Sequence, residues 1–123
     1  MTRPLSQAVP AGCSVYVVTV GADGRAHVAP TTAVVGHGGI VEIADVGRRT
    51  RANLTAGSAV TVVWSTGDPD DHTLIVDGPG IPDDDGCLVR PERAVLHRRG
   101  PGNDHDVAGG GACGADCVEL AIG

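Results

Sequence analysis

The sequence of 123 residues contains no phenylalanine and only one residue each of tyrosine, tryptophan and methionine. An interior without many large aromatic rings must obtain its volume from valine, isoleucine, leucine and alanine. The β-branched residues of this set are stiff in helices and pack well on pleated surfaces. This shortage therefore favours strands over helices and predicts a mostly β domain.

The sequence also lacks long hydrophobic runs. Its longest apolar runs, such as residues 60–64, have the length of a strand and are far too short for a bilayer. No stretch resembles a secretory signal peptide. We therefore expect a cytoplasmic protein that does not enter a membrane, with its four cysteines reduced unless they bind metal or carry out redox chemistry.

Lysine is absent, so all nine positive charges are arginine, and they face 15 acidic residues. The resulting net charge of −6 argues against broad electrostatic binding to nucleic acid or to an anionic membrane. We therefore expect neither nucleic acid nor a membrane as a partner.

Nineteen glycines and eight prolines indicate many tight turns between short strands. We predict one domain over residues 1–123, with an exposed lead-in at 1–12 and a glycine-rich loop and tail at 99–123. The predicted strands cover residues 14–20, 25–35, 39–45, 58–65, 73–78, 87–90 and 118–122. A short helix is predicted at 48–56, and residues 91–96 fit either a strand or a helix. This order predicts a largely antiparallel barrel of six to seven strands.

The second predicted strand has an unusually polar face. Alternation places Arg25, His27, Ala29, Thr31 and Ala33 on the same side. Such a face either meets water or lines a ligand site.

Residues 47–51 (Gly-Arg-Arg-Thr-Arg) form the sharpest local feature, at a predicted junction between strand and helix. Helix amino ends offer unpaired N–H groups, and arginine adds donors that match phosphate oxygens. The segment is not a phosphate-loop motif, and a solvated first helical turn is the alternative interpretation.

The succession of segments resembles the small flavin-binding proteins of the pyridoxamine 5′-phosphate oxidase-like family. The resemblance covers about residues 13–80. It combines the strand at 16–20, the turn and strand at 21–30, the basic segment at 47–54 and the strand at 59–64. Residues 73–78 and 94–98 are similar to later parts of small family members.

The resemblance implies a homodimeric split β-barrel with flavin mononucleotide (FMN), or the deazaflavin F420, in a groove between subunits. Arg49 and Thr50 match the positions that hold the cofactor phosphate, and Arg48 adjoins them. The other positions that the resemblance assigns to the cofactor groove are Arg25, His27, Ala29, Pro30, Thr31, Ile43, Ala44, Asp45 and Asn53. The resemblance implies a small-molecule substrate without identifying it. It does not imply pyridoxamine phosphate, because the chain lacks the carboxyl-terminal segment that binds this substrate in the longer vitamin enzymes.

Two further groups could carry chemistry. Cys113 and Cys117, with His97 and His105 upstream, suit a zinc or iron site or a redox dithiol, or simply pack the tail against the barrel. The acidic runs 68–71 and 83–85 lack calcium-loop spacing and are expected to be solvated turns.

Two functions are therefore expected from the sequence. One is a flavin-dependent oxidoreductase in which the cofactor carries the hydride, with His27 and His72 as the nearest acid–base candidates and the catalytic residues otherwise unknown. The other is a non-catalytic module on the same fold that carries flavin or haem.

Overall fold

The computed structural model describes residues 4–10, 12–68, 70–99 and 115–122. These ranges form one α-helix, two single-turn 3₁₀ helices and nine strands, which confirms the predicted mostly β class. The strands are β1 (Ser14–Val20), β2 (Ala26–Thr31), β3 (Ala33–Val35), β4 (Val41–Ile43), β5 (Ala59–Ser65), β6 (Thr73–Asp83), β7 (Gly86–Val89), β8 (Arg93–Arg99) and β9 (Ala115–Glu119). The helices are α1 (Arg48–Thr55) and the 3₁₀ turns Leu5–Gln7 and His37–Gly39. No helix in these ranges has the length and hydropathy needed to cross a bilayer.

The strands pair in the order β2-β1-β5-β6-β7-β4-β3, with β8 added beside β6 and β9 beside β8. All of these pairs are antiparallel. β6 changes partner along its length, because residues up to Pro79 pair with β5 and residues from Gly80 pair with β7. The ends of the path, β2 and β3, are separated in the chain by Thr32 alone. The sheet therefore bends within β6 and at Thr32. No described ladder joins β2 to β3, so the described strands do not form a closed barrel.

The core lies on the inner face of this bent sheet. Alternate residues of β5 and β6 point inward, and Val62, Trp64, Leu74 and Val76 are all at most 2% exposed. Each fully buried Val or Leu side chain contributes roughly 1.5–3 kcal/mol relative to an exposed one. Aliphatic residues and a single tryptophan thus fill the interior, as the composition requires.

The chain ends differ from the sequence-based expectation. Part of the predicted exposed lead-in packs on the core: Leu5 is 1% exposed, and its N–H donates to the Ala121 carbonyl at 2.9 Å. An apolar side chain in a short turn can be buried without any periodic pattern, so no local signal indicated the burial of Leu5. Residues 93–96 of the undecided segment belong to β8, and the last strand begins earlier than predicted. Most of the predicted glycine-rich loop lies outside the described residues.

Gly86 lies where two backbones approach too closely for a side chain. A Cβ atom there would collide with the carbonyl oxygen of Ile43, whereas a Cβ at Gly47 would meet nothing within 4 Å. Both glycines have unstrained backbone angles, because neither belongs to the residues with positive φ.

We predict that Gly86→Ala lowers the free energy of unfolding by about 2–3 kcal/mol, because β7 must move away from the carbonyl it would strike. Gly47→Ala is the matched control and should change stability by less than about 1 kcal/mol. Urea denaturation followed by tryptophan fluorescence measures both. Equal midpoints for the two variants would contradict this close approach.

Candidate functional site

The amino end of α1 presents a concentrated positive charge. Gly47 stands at the N-cap and provides no side-chain hydrogen bond, and the first turn contains no acidic residue. The first N–H groups of a helix have no partner within it and carry a partial positive charge. The end of α1 is therefore an uncapped set of donors followed at once by Arg48 and Arg49.

The three arginines of α1 have two different roles. The Arg51 guanidinium reaches across to the turn between β6 and β7, where its Nη2 donates to the carbonyl oxygens of Asp84 (2.5 Å) and Gly86 (3.4 Å). Arg48 and Arg49 are exposed and make no side-chain hydrogen bond or ion pair with any described residue. Arg51 thus fixes the helix in place, while Arg48 and Arg49 remain available to an anion.

The inward face of α1 carries two buried polar side chains. Asn53 is 5% exposed, and its Nδ2 donates to Oγ1 of Thr19 at 3.0 Å. Thr50 is 1% exposed, and its Oγ1 has no hydrogen-bond partner in the described part of the chain. The hydroxyl of Thr50 therefore points into the protein, so the group that this residue can offer to an exposed anion is its backbone N–H.

β2 runs beside α1 and brings its polar face to the helix. His27 lies opposite Thr19 in the β1–β2 register, and Thr19 accepts the hydrogen bond from Asn53. Toward the other end of β2, Thr31 Oγ1 lies 3.4 Å from the carbonyl oxygen of Asp45, two residues before the helix N-cap. Half-buried His27 and Thr31 thus belong to the same region as the arginine-rich turn. β2 is the terminal strand of the path, and no described strand pairs with its second edge.

Other predicted site residues lie apart from this group. Pro30 faces the opposite side of the sheet, where it is exposed and stands opposite Tyr16. Arg25 precedes β2 in an exposed turn, and its Nε lies 3.8 Å from the Asp23 carboxylate. The backbone of Asp45 adjoins Thr31, while Ile43 is buried in the core and Ala44 is exposed.

A cleft of opposite character lies between β4 and the β6–β7 turn. It has a volume of about 350 Å³, and four carboxylates are among the residues that line it. These are Glu42, Asp83, Asp84 and Asp85. The other acidic run is a self-contained turn, in which the Asp70 N–H donates to Asp68 Oδ1 at 2.9 Å. The positive end of α1 is thus the better candidate for an anionic ligand.

The cysteine and histidine residues separate into different environments. Cys117 on β9 lies opposite His97 on β8, with 3.1 Å between Cys117 Sγ and His97 Nδ1. Cys113 and His105 lie outside the described residues. Within the described ranges, no group of three or more His, Cys, Asp or Glu side chains is placed to hold a metal. His72 is half-buried at the start of β6, beside a cleft of about 430 Å³.

Thr19 is the residue of this region that the sequence interpretation overlooked. It occupies an inward position on β1, on the same face as the buried Val17, and is 1% exposed. The available signal was a single hydroxyl at an inward position of an otherwise apolar strand. A buried hydroxyl of this kind requires a partner, and here the partner is Asn53.

The chain is similar along nearly its whole length to two mycobacterial proteins. These are the uncharacterized protein Mb0449c of Mycobacterium bovis and the uncharacterized protein MT0457 of Mycobacterium tuberculosis. Each is 35% identical over 135 aligned positions, which cover 98% of this chain and 94% of the relative. No protein-family model matches the chain. No solved structure matches it.

We predict opposite effects for the two buried threonines. Thr19→Val should destabilise the protein by about 1–3 kcal/mol, because it leaves the buried amide of Asn53 without its acceptor. Thr50→Val should be neutral or stabilising, because it removes a buried hydroxyl that has no described partner. Thermal unfolding of the ligand-free protein measures both. An equal loss of stability in the two variants would contradict this assignment of partners.

Proposed function

This chain belongs to the family of the two mycobacterial proteins, and we propose that it is a flavin-dependent oxidoreductase that binds FMN beside α1. The observation that carries the proposal is the pair of exposed arginines, Arg48 and Arg49, at an uncapped helix amino end. The resemblance to the pyridoxamine 5′-phosphate oxidase-like proteins supplies the expectation of a flavin. The substrate, the electron donor and the electron acceptor are left open.

The phosphate of FMN fits the chemistry of this helix end. Two guanidinium groups and the N–H groups of Arg48, Arg49 and Thr50 can donate to its oxygens, and the helix dipole favours its charge. The net charge of −6 means that this local positive group is the exception on the chain, which supports selective rather than general anion binding. Asn53 and Thr19 contribute indirectly, because their hydrogen bond holds the helix against β1.

The ring system would extend along the inward face of β2. That face offers the imidazole of His27, the methyl group of Ala29 and the hydroxyl of Thr31, all half-buried. When bound, the flavin supplies hydride transfer, and the protein supplies orientation, exclusion of water and hydrogen bonds. Neutral imidazole can accept or donate a proton near physiological pH, so His27 is the residue we assign to proton exchange. We propose a cytoplasmic location for this activity, as expected from the sequence.

A homodimer is part of the same proposal. The outer face of β1 and β2 carries the exposed side chains of Tyr16, Val20 and Val28, with exposures of 37%, 46% and 57%. Beyond them on this face, Asp77 and Arg93 form an ion pair, with Asp77 Oδ2 3.2 Å from Arg93 Nη1. The apolar patch on β1 and β2 suits contact between two identical chains that otherwise repel each other through their net negative charge.

We predict that the purified apo-protein binds FMN and that Arg49→Ala weakens binding about ten- to a hundredfold. The loss of a charge-assisted phosphate contact costs roughly 1.5–3 kcal/mol, which gives that range. Titration followed by the quenching of flavin fluorescence measures the affinity. Arg90→Ala is the control, because Arg90 is also an exposed arginine but follows β7, away from α1.

Titration with other ligands, and the absorption spectrum with haem, distinguish FMN binding from deazaflavin or haem binding. Equal weakening by the two arginine variants would mean general charge attraction, and no binding by the wild type would overturn the FMN proposal. Repeating the titration with the deazaflavin tests the other flavin. A Soret band after addition of haem would instead support the non-catalytic haem module.

We predict that the wild-type chain has the mass of a dimer and that Val28→Asp shifts it toward the monomer. Burying an unpaired carboxylate costs several kcal/mol, enough to raise the dissociation constant at least about a hundredfold. Light scattering across a concentration series measures the mass. Val34→Asp is the matched control, because Val34 is 66% exposed but lies on β3. A wild type that is monomeric at every concentration would contradict the dimer.

A further inference from the structure

The pairing of β8 with β9 creates a contact between a thiol and an imidazole on the outer face of the sheet. His97 and Cys117 are directly opposite in the register, and Cys117 Sγ lies 3.1 Å from His97 Nδ1. Leu96, the preceding residue on β8, is buried, so alternation directs His97 away from the core. Cys117 is exposed, and His97 is half-buried.

This pair has the composition of an activated thiol. The thiolate is the nucleophilic form of cysteine, and an adjacent imidazole that accepts the thiol proton stabilises it as an ion pair. Arg93 lies on the same face of β8, four residues from His97. The nearest described charge on this face of β9 is that of Glu119, two residues from Cys117 at roughly 7 Å of strand rise. The negative charge of its carboxylate destabilises the Cys117 thiolate only weakly at this distance, whereas the His97 imidazole is within hydrogen-bond distance of the sulfur.

We propose that Cys117, activated by His97, is a thiol-exchange site that reacts with low-molecular-weight disulfides and becomes reversibly S-thiolated. This exchange is independent of flavin binding, because none of its residues belongs to the group assigned to the cofactor. His97 is a positioning and proton-accepting residue in this reaction, and Cys117 is the nucleophile.

The other described cysteines lack these properties. Cys87 is 1% exposed, and burial raises the pKa of its thiol, with Arg51 opposing that effect. Burial, reinforced by the Asp71 carboxylate, also raises the pKa of the Cys13 thiol. Both therefore remain protonated at neutral pH. Cys13 precedes β1, four strands from β9, or roughly 19 Å, which exceeds the span of a disulfide.

The reaction is a simple exchange. The Cys117 thiolate attacks one sulfur of the disulfide, whose S–S bond breaks as a new S–S bond forms to Cys117. The second half of the reagent leaves as a thiolate and receives the proton that His97 holds. The protein sulfur is oxidised to the disulfide level while the leaving half is reduced to a thiol. Excess thiol reverses the exchange.

The test is incubation of the full chain with glutathione disulfide, followed by intact mass measurement and peptide mapping. The expected result is one glutathionyl group per chain, located on Cys117, removed by dithiothreitol and absent from Cys117→Ser. Modification of Cys13 or Cys87 instead, or of no cysteine, would overturn the proposal. So would formation of an internal disulfide between Cys117 and Cys113, which lies outside the described residues.

The role of His97 is tested by the pH dependence of the reaction with an aromatic disulfide that releases a coloured thiolate. At pH 7 we expect His97→Gln to react roughly tenfold more slowly than the wild type, since a thiol without its base is mostly protonated. The two rates should converge at alkaline pH, where the thiol ionises unaided. A merely structural role would change the rate equally at every pH and would refute this activation. His37→Gln, on a distant exposed turn, is the control.

Discussion

The placement of α1 against the bent sheet is the constraint on which the candidate site depends. Two contacts set it: the buried hydrogen bond from Asn53 to Thr19 on β1, and the hydrogen bonds from Arg51 to the β6–β7 turn. The first joins the helix to the part of the sheet that contains β2, and the second joins it to the part that contains β4. An eight-residue helix is too short to be stable alone, so these contacts and the burial of Leu54 hold its amino end in position.

This arrangement assigns different tasks to residues that are adjacent in sequence. Within α1, burial separates Thr50 and Asn53, which face the sheet, from Arg48 and Arg49, which face outward. The helical period of 3.6 residues makes this division unavoidable, because a helix packed on a sheet must turn some positions inward. A phosphate site built here would consequently use guanidinium groups and backbone N–H groups, with the buried side chains acting as its support. The acidic cleft beyond Arg51 differs from this phosphate site in charge, and no residue of α1 lines it.

Much of the fold could be predicted from the sequence because its signals are local. The alternation in residues 14–20 and 58–65 and the turn glycines predicted the strands, and the helix was predicted to within one residue of its observed end. Three features escaped prediction: the burial of Leu5, the inclusion of residues 93–96 in β8 and the interruption at Thr32. Each depends on a partner distant in the chain. Leu5 is hydrogen-bonded to Ala121, and β8 pairs with β6. The strand is interrupted at Thr32 because β2 pairs with β1 whereas β3 pairs with β4. The candidate site was predicted in part, since the alternation of β2 placed His27 and Thr31 on one face but also left Pro30 on the other.

The sequence by itself determined the mostly β class, the aliphatic core, the net negative charge and the concentration of arginines at a helix start. These follow from composition and from periods of two and 3.6 residues, which any local segment displays. Only the tertiary structure decided which arginine is anchored, which threonine is hydrogen-bonded, and that Cys117 lies opposite His97. Those outcomes depend on strand register and on the packing of one helix. Both are set by contacts between residues far apart in the chain, and the local pattern of a segment does not encode its partner.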